Sequence, residues 1–142
     1  MFYFTVHYLR WLARVPGLPH LFDALLLAWT CIAHRPRLKA MEMLEAEALQ
    51  LPGVHLRVHR FGGIEFVQKK GRELGHLHGH ALLDVLIGRR WGEALIETGR
   101  VRPHHVFPNS SWISFQLESK ADVPLALELL IAAQAKREMN RQ

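Results

Sequence analysis

Residues 54–87 read VHLRVHRFGGIEFVQKKGRELGHLHGHALLDVLI, and the fold turns on their periodicity. In VHLRVHRF, Val54, Leu56 and Val58 alternate with His55, Arg57 and His59. A period of two places successive side chains on opposite faces, as in a half-buried strand. Gly62-Gly63 is a tight-turn signal, and IEFVQ returns as the partner strand of a hairpin. KKG turns the chain again into RELGHLHG. After Gly79, HALLDVLI reads as a more deeply buried strand. An antiparallel meander is therefore expected.

Outside this stretch the period changes to that of a helix. Helices are expected at 3–14, 19–34 and 37–50. The third, RLKAMEMLEAEAL, is rich in strong helix formers and is stopped by LPG at 51–53. Downstream, GRRWGEALIETG reads as a short helix with Trp91, Leu95 and Ile96 inward, closed by Gly99. VRPHHVFPNSS is a loop with two prolines. WISFQL alternates as another strand. SKADVPLALELLIAAQAKR is a last amphipathic helix with Ser119 as N-cap and Asp122 in its first turn. The expected class is α+β: N-terminal helices, an antiparallel meander, and helices packed on one face. A helical segment at 1–50 and an α+β domain at 51–142 are expected to form one structural unit.

The chain has 142 residues, 49% apolar and 22% charged, which suits a single core. One cysteine, Cys31, excludes an intrachain disulfide and a cysteine-rich zinc module, and fits a reducing, cytoplasmic compartment. The net charge of +5 is scattered over RPRLK, KKGR, GRR and GRVR without a long basic run, so nucleic acid is not an expected partner. The N-terminus, MFYFTVHYLRWLARVPG, spaces His7, Arg10 and Arg14 along a wide apolar face. That pattern suits a segment lying in a membrane interface, so peripheral contact through residues 2–15 is one expectation. The apolar run from Ala24 to Ala33 is too short to span a bilayer and is expected to pack in the core.

The chemistry concentrates in the histidines. His76 and His78 share one strand face, with Cβ atoms roughly 7 Å apart, close enough for two imidazoles to converge on one ligand. His80 joins them only if the strand continues through Gly79. Of the loop pair His104 and His105, one is expected to reach the cluster. Glu73, by strand parity, is expected on the opposite face, while His55 and His59 are expected on an exposed one. Imidazole titrates near neutrality and can take a proton from an enol or phenol, with an arginine or second histidine holding the anion. The same residues, with a carboxylate, could instead bind zinc or ferrous iron.

GGIEF, RELGHLHG, GRVRPHHVFPNSSWISF and SKADVPLALELL, in that order over residues 62–131, resemble the luciferase-domain family. That family includes light-emitting fungal luciferases and small bacterial proteins. The resemblance implies oxidation of a small aromatic or pyrone-like substrate such as 3-hydroxyhispidin by O2, with no metal or organic cofactor. The fungal members are anchored by a spanning segment, where this chain begins with an amphipathic one. Arg72, Glu73, His76, His78, His105 and Trp112 match family positions. His104 matches only the bacterial pattern, and His80 has no clean counterpart. The resulting expectation makes His76, His78 and His105 catalytic: His76 or His78 as general base, His105 orienting or protonating a peroxide. Arg72, Glu73, His104 and Trp112 would bind the substrate. The alternatives are a non-catalytic ligand-binding module and a zinc or iron enzyme with His76, His78 and His105 as ligands. The oligomeric state is open.

Overall fold

The computed structural model describes residues 15–68 and 71–139. The helix expected at 3–14, and all but Val15 of the 2–15 segment assigned to membrane contact, lie outside the described residues.

Two helices meet at His34: α1 (Leu18–Ala33) and α2 (Arg35–Ala48), each with a proline in its first turn. Proline suits that position because the first turn's N–H groups have no intrahelical acceptor. Four strands then follow as hairpins: β1 (Val54–Val58), β2 (Ile64–Gln68), β3 (Arg72–Leu77) and β4 (Leu82–Leu86). Helix α3 (Arg89–Glu97) leads to a short edge strand β5 (Arg102–Pro103), placed in a stretch expected to be loop, and then to β6 (Trp112–Gln116). A 3-10 turn (Lys120–Asp122) opens into α4 (Val123–Met139). Ser119 caps that turn and Asp122 reaches back to complete the capping box.

The six strands form one antiparallel sheet in the order β1-β2-β3-β4-β6-β5. One face packs on α2 and α4. Ala40, Met41, Leu44 and Ala48 from α2, and Val123, Ala126, Leu129, Leu130 and Ala133 from α4, join Phe66, Leu77, Leu83, Val85 and Ile113 in one core. The fold is α+β. Among the described residues no helix is long and apolar enough to cross a membrane.

Three expectations about packing are corrected. Helix α1 does not supply the core. It buries only Asp23 and Thr30, and leaves Leu21, Leu25, Trp29 and Ile32 exposed. An apolar run records what a helix offers, not what lies opposite it. Trp91 is likewise outward, 63% exposed, because α3 docks through Gly92 and the half-buried Leu95 and Ile96. A Cβ at Gly92 would stand 3.1 Å from Ile113, so a bulky residue could not take that place. Val58, at the end of an edge strand, is exposed despite its inward parity.

Candidate functional site

The sheet face away from α2 and α4 carries a polar row. Register pairs Arg57 with Glu65, Glu65 with His76, His76 with Asp84, Asp84 with Ser114, and Ser114 with Arg102. Cross-strand partners share a face, so the row follows from pairing alone. Arg57 and Glu65 form a two-bond ion pair at 2.7 and 2.9 Å. The centre of the row is the fully buried Asp84.

Four imidazoles converge on one oxygen of Asp84. His78 Nε2 lies 3.0 Å from Oδ2, His76 Nε2 3.4 Å, His105 Nδ1 3.4 Å and His104 Nε2 3.7 Å. The other oxygen, Oδ1, accepts a short hydrogen bond from the Ser114 hydroxyl. A second layer of acids stands behind the first two rings. His76 Nδ1 is 2.6 Å from Glu73 Oε1, and His78 Nδ1 faces Asp23 Oδ1 at 3.7 Å. His59 stacks flat on His76, with ring centroids 4.1 Å apart. Trp112, half-buried, closes the cluster at 5.3 Å from the His76 ring and 6.0 Å from His104.

The elements explain the placement, and several expectations change. Glu73 reaches His76 because β3 carries a bulge. Phe66 pairs with Gly75 but Val67 pairs with Glu73, so Leu74 has no register partner. An extra residue reverses strand parity, which brings Glu73 onto the His76 face and buries Leu74 in the core. His59 is buried rather than exposed, whereas His55 is exposed as expected. Both loop histidines reach Asp84, not one. The His104 ring is locked because Nδ1 accepts the Val106 and Phe107 backbone N–H groups at 3.1 and 3.0 Å. Its Nε2 therefore carries the ring proton and points it at Asp84. The strand does not run through Gly79. His78 to Leu82 is a turn with Ala81 at φ +66, and His80 lies within it, its ring 5.8 Å from that of His78. Arg72 sits exposed at the start of β3, paired in register with Gln68.

Helix α1 enters the site through one side chain. Asp23 Oδ1 accepts the Gly79 N–H at 2.8 Å. A Cβ on Gly79 would stand 2.5 Å from the Asp23 carbonyl oxygen, so this approach requires glycine.

The electrostatics follow from burial set against these contacts. Burial alone would push His78 down, but the facing carboxylates of Asp23 and Asp84 overcome it and raise it to about 9. His76 is raised in the same way, burial being outweighed by Asp84 and Glu73. Burial foremost holds His59, His80 and His104 down at about 4. Asp84 stays well below the ordinary carboxylate range, because its imidazole partners outweigh its own burial. The carboxylates of Glu73, Asp84 and Asp23 thus favour the charged forms of His76 and His78, while burial favours the neutral forms of His59, His80 and His104.

Sequence reasoning missed Asp84 as the centre, and with it Asp23, Ser114 and His59. Asp84 had a signal: a lone acid inside the apolar run LLDVLI, opposite His76 once the turn is set at 78–82. Asp23 had only its oddness within an apolar helix. Ser114 and His59 gave no signal beyond strand parity.

This is an α+β domain built around a buried imidazole–carboxylate cluster. Residues 71–133 match the family model of the luciferase domain, so over that stretch the chain is similar to that family. The match includes Glu73, His76, His78, Asp84, His104, His105, Trp112 and Ser114, but not Asp23 or His59. No curated protein and no solved structure matches the chain.

Proposed function

We propose that this domain is an oxygenase that brings a small enolic or phenolic substrate, of the 3-hydroxyhispidin type, into reaction with O2. The observation that carries this reading is the convergence of four imidazoles on Asp84 beside a half-buried tryptophan, within the stretch similar to the luciferase domain. Trp112 also walls a cleft of about 460 Å³ between α3 and the Pro108–Ser110 loop. A planar ring stacked there would lie one side chain away from His76 and His104.

The roles follow from the geometry. Both ring nitrogens of His76 and of His78 face carboxylates, so these two rings donate rather than accept protons in the metal-free site. His105 is the better general base, its Nδ1 standing 3.4 Å from Asp84 Oδ2 in the arrangement of a carboxylate–imidazole dyad. Arg89, on the rim of the same cleft, is better placed than Arg72 to attract the resulting anion.

The test is oxygen uptake by the purified, untagged protein offered 3-hydroxyhispidin, simpler pyrones and catechols, with photon counting in parallel. Uptake that falls at least about a hundredfold in His105→Gln, with an unchanged circular dichroism spectrum, is the expected result for loss of a general base. Binding of a pyrone with no uptake would overturn the reading in favour of a ligand-binding module.

A further inference from the structure

Four imidazole nitrogens within 3.7 Å of one carboxylate oxygen exceed what hydrogen bonding explains. That oxygen has two lone pairs to offer. A shared cation explains the crowding better. Two donors each about 2.1 Å from one ion stand roughly 3.0 Å apart at a right angle and roughly 3.4 Å apart at the tetrahedral angle. His78 Nε2 and His76 Nε2 lie 3.0 and 3.4 Å from Asp84 Oδ2, and one donor atom from each of these three residues lies within 4.8 Å of the others.

We propose that His76 Nε2, His78 Nε2 and Asp84 Oδ2 form a three-donor site for one divalent transition-metal ion, with Glu73 and Asp23 positioning the two rings from behind. Two imidazoles and one carboxylate are the donor set of ferrous oxygenase centres, and three protein donors leave positions for water or substrate. The outer layer is an independent observation. A ligating imidazole commonly presents its second nitrogen to a carboxylate, and here each ring does so: His76 Nδ1 to Glu73 at 2.6 Å, His78 Nδ1 to Asp23 at 3.7 Å. The Ser114 hydroxyl on Oδ1 leaves Oδ2 as the donating oxygen. His104 is excluded as a ligand because two backbone N–H groups occupy Nδ1, so that Nε2 is protonated.

The site deepens the oxygenase reading by naming its cofactor class, but its test does not depend on that reading. The full chain, untagged and stripped with chelator, is titrated with Fe2+ under anaerobic conditions and with Co2+ and Zn2+, by calorimetry and, for Co2+, by its visible spectrum. Saturation at one ion per chain is expected. Glu73→Gln, which keeps the ring contact but not the charge, should weaken affinity about ten- to a hundredfold, and Asp84→Asn at least as much. His55→Ala, which removes an exposed histidine, should leave affinity unchanged. A folded, stripped protein that binds none of the three ions would overturn the proposal. So would affinity that drops with His55→Ala but not with Glu73→Gln or Asp84→Asn. Binding without oxygen uptake would leave the site standing and remove the oxygenase reading. Uptake without binding would do the reverse.

Discussion

Asp84 is an acid with no exposed surface, and a buried carboxylate is tolerated only where its charge and lone pairs are met. Here the meeting groups come from four places: β3, β6, the turn after β3, and the loop before β6. Among the described residues Ser114 holds Oδ1 by a hydrogen bond, and it is itself buried. Ser114→Ala should therefore lower unfolding free energy by about 2 kcal/mol, the scale of a hydrogen bond to a buried charge, as read by urea denaturation. A change within a few tenths would mean that another donor replaces the hydroxyl. The histidines flanking Asp84 could be picked out in the sequence because HLHGH and PHH are conspicuous. The acid they converge on stands out only as a lone Asp in an apolar run, because it carries no spacing of its own that would mark it as the centre.

Elements place these residues through parity and close approach. The bulge at Leu74 moves Glu73 across the sheet, and the 78–82 turn takes His80 out of strand pairing. Neither event leaves a reliable mark in the alternation of residues. Helix α3 illustrates the same limit. Its pattern offers Trp91 as the large apolar side chain, but contact is made by Gly92, whose missing side chain allows the helix to approach Ile113. Trp91→Ala should thus change stability by no more than about 0.5 kcal/mol, as for a surface site. Leu44→Ala, at a fully buried position, should cost about 2–5 kcal/mol. Paired thermal and urea denaturation compares the two, and a larger loss at Trp91 would contradict the docking of α3.

At the scale of the whole molecule, the histidines set the pH profile of stability in chelator-treated protein. His59, His80 and His104 are held at about 4 when folded but accept protons below about 6.5 when unfolded. Their contribution is present above that value and is lost as pH falls toward 4. His78, raised to about 9, acts in the opposite sense: its contribution is complete below about 6.5 and is lost as pH rises through 9. The melting temperature should therefore peak near neutrality and fall on both sides. A profile flat from pH 5 to 9 would mean that these rings are not buried among these partners.

By itself the sequence determined the class of fold. The switch from helical to strand period at LPG, the Gly62-Gly63 hairpin, the capping signal at Ser119 and the apolar faces of α2 and α4 are local, and local patterns are written in neighbouring residues. It also made the histidine motifs legible. Only the tertiary structure decided which residues meet: that α1 contributes Asp23 rather than its leucines, that both loop histidines turn inward, and that Asp84 is the centre. Those are contacts between residues as far apart as Asp23 and Gly79, made by strand register, a one-residue bulge and a glycine without a side chain. Register and close approach depend on what lies across the sheet, and no period along a single strand records it.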